Sequence, residues 1–372
     1  YFKYTGISVG LITSSGCRKF PSKVASAAGT NQWTNIPRNQ LLKWIDNGEI
    51  PIVIGTHSLI AKSVKFKDLA LVVIDEQHRF GTKQRAALAK KEGFAPHFLS
   101  MTATPIPRTL ALTVYGDLDL TLLDQMPLGR KPVITDIVIP TKRDEVYEDI
   151  KKHMEEGRQL YVICPRIDEP DPDKQSALQM KSVKSEAARL KKEVFQDKEV
   201  DILHSKMTKQ KKEEAMERFS NGEVDILVAT SVVEVGVNVP NATIIIIEGA
   251  ERFGLAQLHQ LRGRVIRSSH QAYCYAFSDS GTAKTVDRLK AFKTAKNGFE
   301  LSEMDLELRG AGELTGAKQW GISDLGMEAI KNLKMVEAAR KEAQEMVEKD
   351  TLKNHPTLEK NLSKRNLQLH FE

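Results

Sequence analysis

The chain is 372 residues long, 41% hydrophobic and 28% charged, the balance of a folded globular protein with room for two or three cores. Lys and Arg outnumber Asp and Glu by 55 to 49, a net charge of +6 that permits a polyanionic partner without requiring one. Three distant cysteines (Cys17, Cys164, Cys274) exclude a disulfide framework and read as reduced thiols, and the longest apolar run, around Ala242–Ile247, is far below the roughly 20 residues of a membrane span.

β-branched runs at Ile7–Ile12, Ile50–Gly55, Leu69–Asp75 and His97–Thr102 predict a first series of strands. A second series follows at Val133–Ile139, Gln159–Pro165, Val200–His204, Val224–Thr230, Thr243–Glu248 and Ala272–Ser278. Amphipathic segments lie between them, among them Lys142–Glu156, Val183–Phe195 and Thr208–Asn221. Apolar strands separated by helices predict parallel sheets buried on both faces, hence two α/β domains. They are joined near Gln125–Val133, where Pro127, Gly129 and Pro132 interrupt both periodicities. The polar stretches Ser14–Arg38 and Ile167–Gln175 read as solvated excursions. Beyond about Ser280 the pattern is helical, with a Gly-rich break at Arg309–Gly321 and a long helix over Asp324–Lys349. The tail Thr351–Glu372 carries a helix-stopping Pro356. The expected domains are residues 1–128, 129–280 and 281–372.

Ligands of parallel sheets gather at the carboxyl ends of strands. "LVVIDEQH" brings Asp75, Glu76 and His78 to such an end. Two adjacent acids there suit a Mg²⁺-bound triphosphate, one holding the metal's water shell and one orienting the attacking water; a plain solvent-facing turn is the alternative. The next strand ends in "SMTATPIPRTL", where Thr102 and Thr104 are short hydrogen-bonding groups beside the acids, or Thr104 is simply a helix cap. In "GLAQLHQLRGRVIR", Gln260, Arg264 and Arg267 share one face of a helix. A guanidinium aimed at a triphosphate from a neighbouring domain is worth about 10³–10⁵ in rate; an interdomain ion pair is the plainer reading. Acids on one sheet and arginines on another, in this order, fit a nucleotide held between two recombinase-like domains.

With these stretches in place, the sequence resembles the superfamily 2 helicases and, more narrowly, the RecG branch-migration helicases, from about Gly6 to Lys334. The resemblance implies an α/β fold of two RecA-like parallel-sheet helicase domains, the first incomplete at its N-terminus, followed by a helical hairpin and tail. "IDEQHRFG" is similar to motif II, implying Asp75 as the Mg²⁺ acid, Glu76 as the catalytic base and His78 near the nucleotide. "MTATPIPRTL" is similar to the coupling motif III, with Thr102 and Thr104. "IVIGTHSLI" is similar to motif Ib, implying that Thr56 and His57 meet the DNA backbone. "ATSVVEVGVNVP" resembles motif V, implying coupling roles for Thr230, Ser231 and Glu234 and nucleotide contact by Gly236. "QLRGRVIR" resembles motif VI, with Gln260, Arg264 and Arg267 at the phosphates. "GFELSEMDLELRGAGELTGAKQWG" is similar to the translocation motif shared by RecG and the transcription-repair coupling factor Mfd, with Arg309 and Gln319 as its functional pair.

The implied cofactors are ATP and Mg²⁺, the implied partner is double-stranded and branched DNA, and the implied setting is a monomeric motor in the bacterial cytosol or nucleoid. Departures from the family are Ile266 for a motif VI glycine, Asn238 for a motif V aspartate, and "ITSSG" for a threonine-glycine-serine. No GxxxxGK[ST] phosphate loop occurs in the 372 residues. The family places that loop and its wedge domain ahead of the position of Tyr1, so the chain reads as a piece of a longer protein with negligible hydrolysis of its own. An Mfd-like translocase and a catalytically inactive nucleic-acid-binding module are the alternatives.

Overall fold

The computed structural model describes residues 5–22, 33–76, 96–102, 119, 121, 123, 125–127, 129–165, 182–230, 239–266, 268–313 and 333–364. They divide into two compact units, one of residues up to 102 together with 357–364, the other of residues 119 to 356.

In the first unit β1 (Val9–Thr13) turns through Ser14 and Ser15 into antiparallel β2 (Gly16–Phe20), and the Thr13 hydroxyl donates to the Gly16 carbonyl at 3.1 Å across that turn. β3 (Thr34–Asn35) pairs with β2, and β4 (Ile52–Gly55) pairs parallel to β1, giving the order β3-β2-β1-β4. Helix α1 (Arg38–Asp46) sets Leu41 and Ile45 against Ile12, Cys17 and Ile50. Two expectations are corrected here. The sheet is mixed rather than parallel, and part of the excursion expected over Ser14–Arg38 is a strand with Cys17 and Phe20 buried. A strand can be polar on its outer side once its backbone is paired; two inward residues sufficed, too few to form a readable period.

A separate pair of parallel strands, β5 (Leu71–Asp75) and β6 (His97–Met101), buries Val72 and Ile74 but leaves Leu71 57%, Val73 52% and Leu99 50% exposed. The expected burial on both faces is therefore not met in β5.

The second unit holds a fully parallel sheet in the order β7-β12-β11-β8-β10-β9. Its strands are β7 (Ile134–Val138), β8 (Gln159–Cys164), β9 (Val200–Leu203), β10 (Ile226–Thr230), β11 (Ala242–Ile247) and β12 (Tyr273–Phe277). Every residue of the central strands β8, β10 and β11 is buried, because helices cover both faces. On one face α2 (Arg143–Glu155) and α3 (residues 182–189) pack Tyr147, Ile150 and Ala187 against Ile244 and Ile246. On the other, α4 (Lys209–Ser220), α5 (Leu255–Arg262) and α6 (Ala283–Thr294) pack Phe219, Leu258 and Phe292 against Ile245 and Ile247. The alternation of the four isoleucines thus feeds two separate cores.

Helix α7 (Gly298–Glu313) starts at a cap in which the Asn297 Oδ1 accepts the Glu300 N–H at 2.9 Å. It runs through Arg309, Gly310 and Gly312, so the break expected from Arg309 does not begin there; a glycine in a helix costs only about 1 kcal/mol relative to alanine and does not by itself end it. Residues 314–332, including the expected start of the long helix, lie outside the described residues, and α8 covers Leu333–Glu348. Pro356 opens α9 (Pro356–Lys364) rather than stopping a helix, since the first helical position needs no N–H.

Candidate functional site

Asp75 ends β5 and is exposed, and its Oδ1 accepts the Glu76 N–H at 2.9 Å. Glu76 has φ +53°, a left-handed backbone that costs an ordinary residue about 1–2 kcal/mol. Asp75 pairs with Met101 in the β5–β6 register, so Thr102 stands at the same carboxyl end. His78 and Thr104 lie outside the described residues. An exposed aspartate with hard oxygen donors, one of them fixed by a backbone N–H, fits a Mg²⁺ with its water shell.

Thr56 and His57 are exposed at the carboxyl end of β4, where Thr56 N–H donates to Ile12 O at 3.4 Å and Leu59 N–H to Thr56 O at 3.0 Å. Gly55 before them is required by crowding: a Cβ there would meet the Ile12 carbonyl and lie 2.8 Å from Leu59 Cγ. That glycine lets the loop turn back onto β1 and present both side chains.

In the second unit the parallel strands end along one edge. Thr230 ends β10 and His204 follows β9; Ala229 pairs with Leu203, so the two are neighbours. Both are buried, and among the described residues Thr230 Oγ1 and His204 Nδ1 have no hydrogen-bond partner. Helix α4 begins just beyond, with Thr208 Oγ1 accepting the Lys211 N–H. Burial lowers the His204 pKa below its ordinary value, helped by Lys184, Lys212 and Lys206. Unsatisfied buried polar atoms beside lysines and a helix N-terminus can hold an anion. In the sequence, the signal for His204 is its place at a strand end, before a capping threonine and a basic run.

The Gln260–Arg264 stretch departs from the single helical face expected. α5 ends at Arg262, Gly263–Val265 forms a tighter turn, and Ile266 leaves the helical region at φ −90° and ψ 48°. Gln260 and Arg264 are half-buried, while Arg267 lies outside the described residues, as do Ser231, Glu234, Gly236 and Gln319. Arg309 sits on α7, with its side chain outside the described atoms. The intervening Arg262 is structural: it is buried over the Phe292 ring at 4.9 Å and donates to the Phe292 and Ala295 carbonyls at 2.9 and 3.4 Å. Among the described residues no three His, Cys, Asp or Glu side chains gather as a metal cluster, and no helix is long and apolar enough to cross a membrane.

Three family descriptions match successive parts of the chain: DEAD/DEAH box helicase over residues 15–113, helicase conserved C-terminal domain over 141–269, and ATP-dependent DNA helicase RecG, domain 3, C-terminal over 295–369. The ATP-dependent DNA helicase RecG of a Synechocystis species is 44% identical over 330 residues, covering 88% of this chain and 39% of that protein. Its namesake from Bacillus subtilis is 44% identical over 322 residues, 86% of this chain and 46% of that protein. A solved structure of RecG bound to a three-way DNA junction matches at 37% identity and TM-score 0.62, covering 90% of this chain and 40% of that one. The chain thus spans less than half the length of these relatives.

Proposed function

Because this chain belongs, over the stretch it spans, to the motor and C-terminal portion of the RecG helicases, we propose that it is the engine of an ATP-dependent DNA translocase that remodels branched DNA. Its two α/β units are RecA-like helicase domains. The observation that carries the reading is joint: two helicase motor domains and a RecG-type C-terminal segment follow one another in one polypeptide. The proposed division is residues 1–128, 129–280 and 281–372.

In this reading Asp75 holds Mg²⁺, which when bound neutralises the phosphates of ATP. Glu76, next in the chain and held in a left-handed backbone conformation, takes the proton of the attacking water. Gln260, Arg264 and Arg267, with Gly236 and His78, face the nucleotide, and the arginines stabilise charge as it builds on the transferred phosphoryl group. Thr56 and His57 meet the DNA backbone from the first unit. Thr230, Ser231 and Glu234, joined by His204 and its neighbouring lysines, meet it from the second, while Thr102, Thr104, Arg309 and Gln319 couple nucleotide state to movement. Binding of this kind is electrostatic and follows DNA shape rather than base sequence. A setting in the bacterial cytosol or nucleoid is part of the same proposal, supported by relatives that are bacterial DNA helicases.

The test uses the full-length protein that contains this chain. Branched DNA is expected to stimulate ATP turnover more than linear duplex of the same composition. Glu76→Gln should cut turnover at least 100-fold while leaving DNA affinity within twofold; a mutant that still turns over removes Glu76 from the base role.

A further inference from the structure

Arg143 opens α2, and its guanidinium is held on three sides. One nitrogen lies 3.3 Å from Glu248 Oε2, another 3.0 Å from Asp279 Oδ1, and the group sits 4.9 Å over the Phe277 ring. Glu248 directly follows β11 and Asp279 lies just past β12, so one side chain ties together the carboxyl ends of two neighbouring strands. The Glu248 N–H donates to Ile163 O at 2.9 Å, one more bond to β8 beyond the end of the strand. Gly249 then takes φ +58°, and a Cβ there would lie 3.3 Å from Pro165. From this pivot the chain turns through Ala250–Arg252 and Gly254 into α5.

The sheet order places the pivot at its reversal point. The chain runs from β8 outward to β9, then returns through β10 and crosses to β11 and β12 on the other side. Crevices at such reversals are where ligands of these sheets sit. The nearby Glu186 carboxylate is occupied by Arg189 through two contacts of 2.7 and 3.1 Å, and Arg189 also donates to the Tyr147 hydroxyl at 2.7 Å. Glu248 is left to Arg143 as its ion-pair partner. Buried pairs of this kind are an inefficient source of stability, since apolar residues of similar volume commonly do as well. What the pair supplies is a direction for the chain.

We propose that Arg143 is a positioning residue: through Glu248 it fixes the angle at which the chain leaves β11, and with it where Gln260 and Arg264 stand. The consequence for turnover rests on the function proposed above; the positioning itself is a property of this chain.

Amide hydrogen exchange on the 372-residue chain tests the positioning. Arg143→Gln is expected to speed exchange at residues 249–254 at least tenfold while β8 and β10 stay at wild-type rates, and Arg143→Lys, which keeps a cation, should restore most of the protection. Unchanged exchange at 249–254, or equal loss across the whole sheet, would overturn the proposal. Turnover by the full-length protein tests the consequence: Arg143→Gln should lower kcat about tenfold with KM for ATP and DNA affinity within twofold. An unchanged kcat in a chain with loosened 249–254 would reduce Arg143 to a structural role and overturn it. Absence of DNA-stimulated turnover in the wild type would instead remove the proposed function, and the exchange result would still decide the positioning.

Discussion

Glu248 stands just past β11 with its side chain 13% exposed, and burial, with the Glu186 carboxylate facing it, pushes its carboxyl up to about 7. Arg143 and Arg189 oppose that shift, Asp279 adds to it, and Tyr147 and Cys164 lie within its field. The folded-state value is above the ordinary 4.5, so the folded protein binds the proton more tightly than the unfolded chain. The stability this group contributes is complete below that ordinary value and is lost as pH rises through about 7. Its size is on the order of 3 kcal/mol. Urea unfolding at pH 5.5 and pH 8 should therefore show the second unit more stable at the lower pH by about 2 kcal/mol, the part of the total that falls in this window, and Glu248→Gln should flatten the difference. A different physical limit acts at Gly55, where an added methyl group has nowhere to go against Ile12 O and Leu59. Gly55→Ala should destabilise the first unit by about 1–3 kcal/mol in chemical denaturation. Residue-level legibility in the sequence was uneven. Asp75, Glu76 and Arg264 could be singled out because charge interrupts apolar runs; His204 has only its place at a strand end before a capping threonine, and the strand pairing that sets it beside Thr230 is not written in its local sequence.

Strands differ in how many faces they bury, and that difference should be measurable. β11 is buried along its whole length between two layers of helices, while β5 buries alternate residues only. Ile246→Ala removes packing at a fully buried site and should cost about 2–5 kcal/mol in urea unfolding of the second unit. Val73→Ala, at a position 52% exposed, should stay within about 0.5 kcal/mol. The same contrast explains what the sequence disclosed about the elements. Runs such as Ile244–Ile247 declare a buried parallel strand without ambiguity, and all ten expected strands are found within a residue or two of their expected limits. β2 was hidden because a two-residue Ser14–Ser15 turn lacks the usual Gly or Asn signal and its partner, not its composition, makes it a strand. Pro356 and the glycines of α7 misled for the opposite reason: each is an unfavourable residue in a helix interior, but Pro356 stands at the first helical position and a glycine costs only about 1 kcal/mol.

At the scale of the whole molecule the described residues form two compact units, with the carboxyl ends of their strands as the places where chemistry collects. The first unit has a core around Ile12 and Leu41 and a small one around Val72 and Ile74; the second has two, one on each face of the six-stranded sheet. The cysteines happen to be divided between them. Cys17 is buried in the first unit, and Cys164 and Cys274 are buried in the second. Each half of the protein thus contains its own built-in stopwatch for opening. Iodoacetamide should alkylate none of the three quickly in the native protein and all of them in denaturant. In graded urea, peptide mapping should show Cys164 and Cys274 gaining label together, on a schedule separate from that of Cys17; simultaneous labelling of all three would mean that the halves open as one.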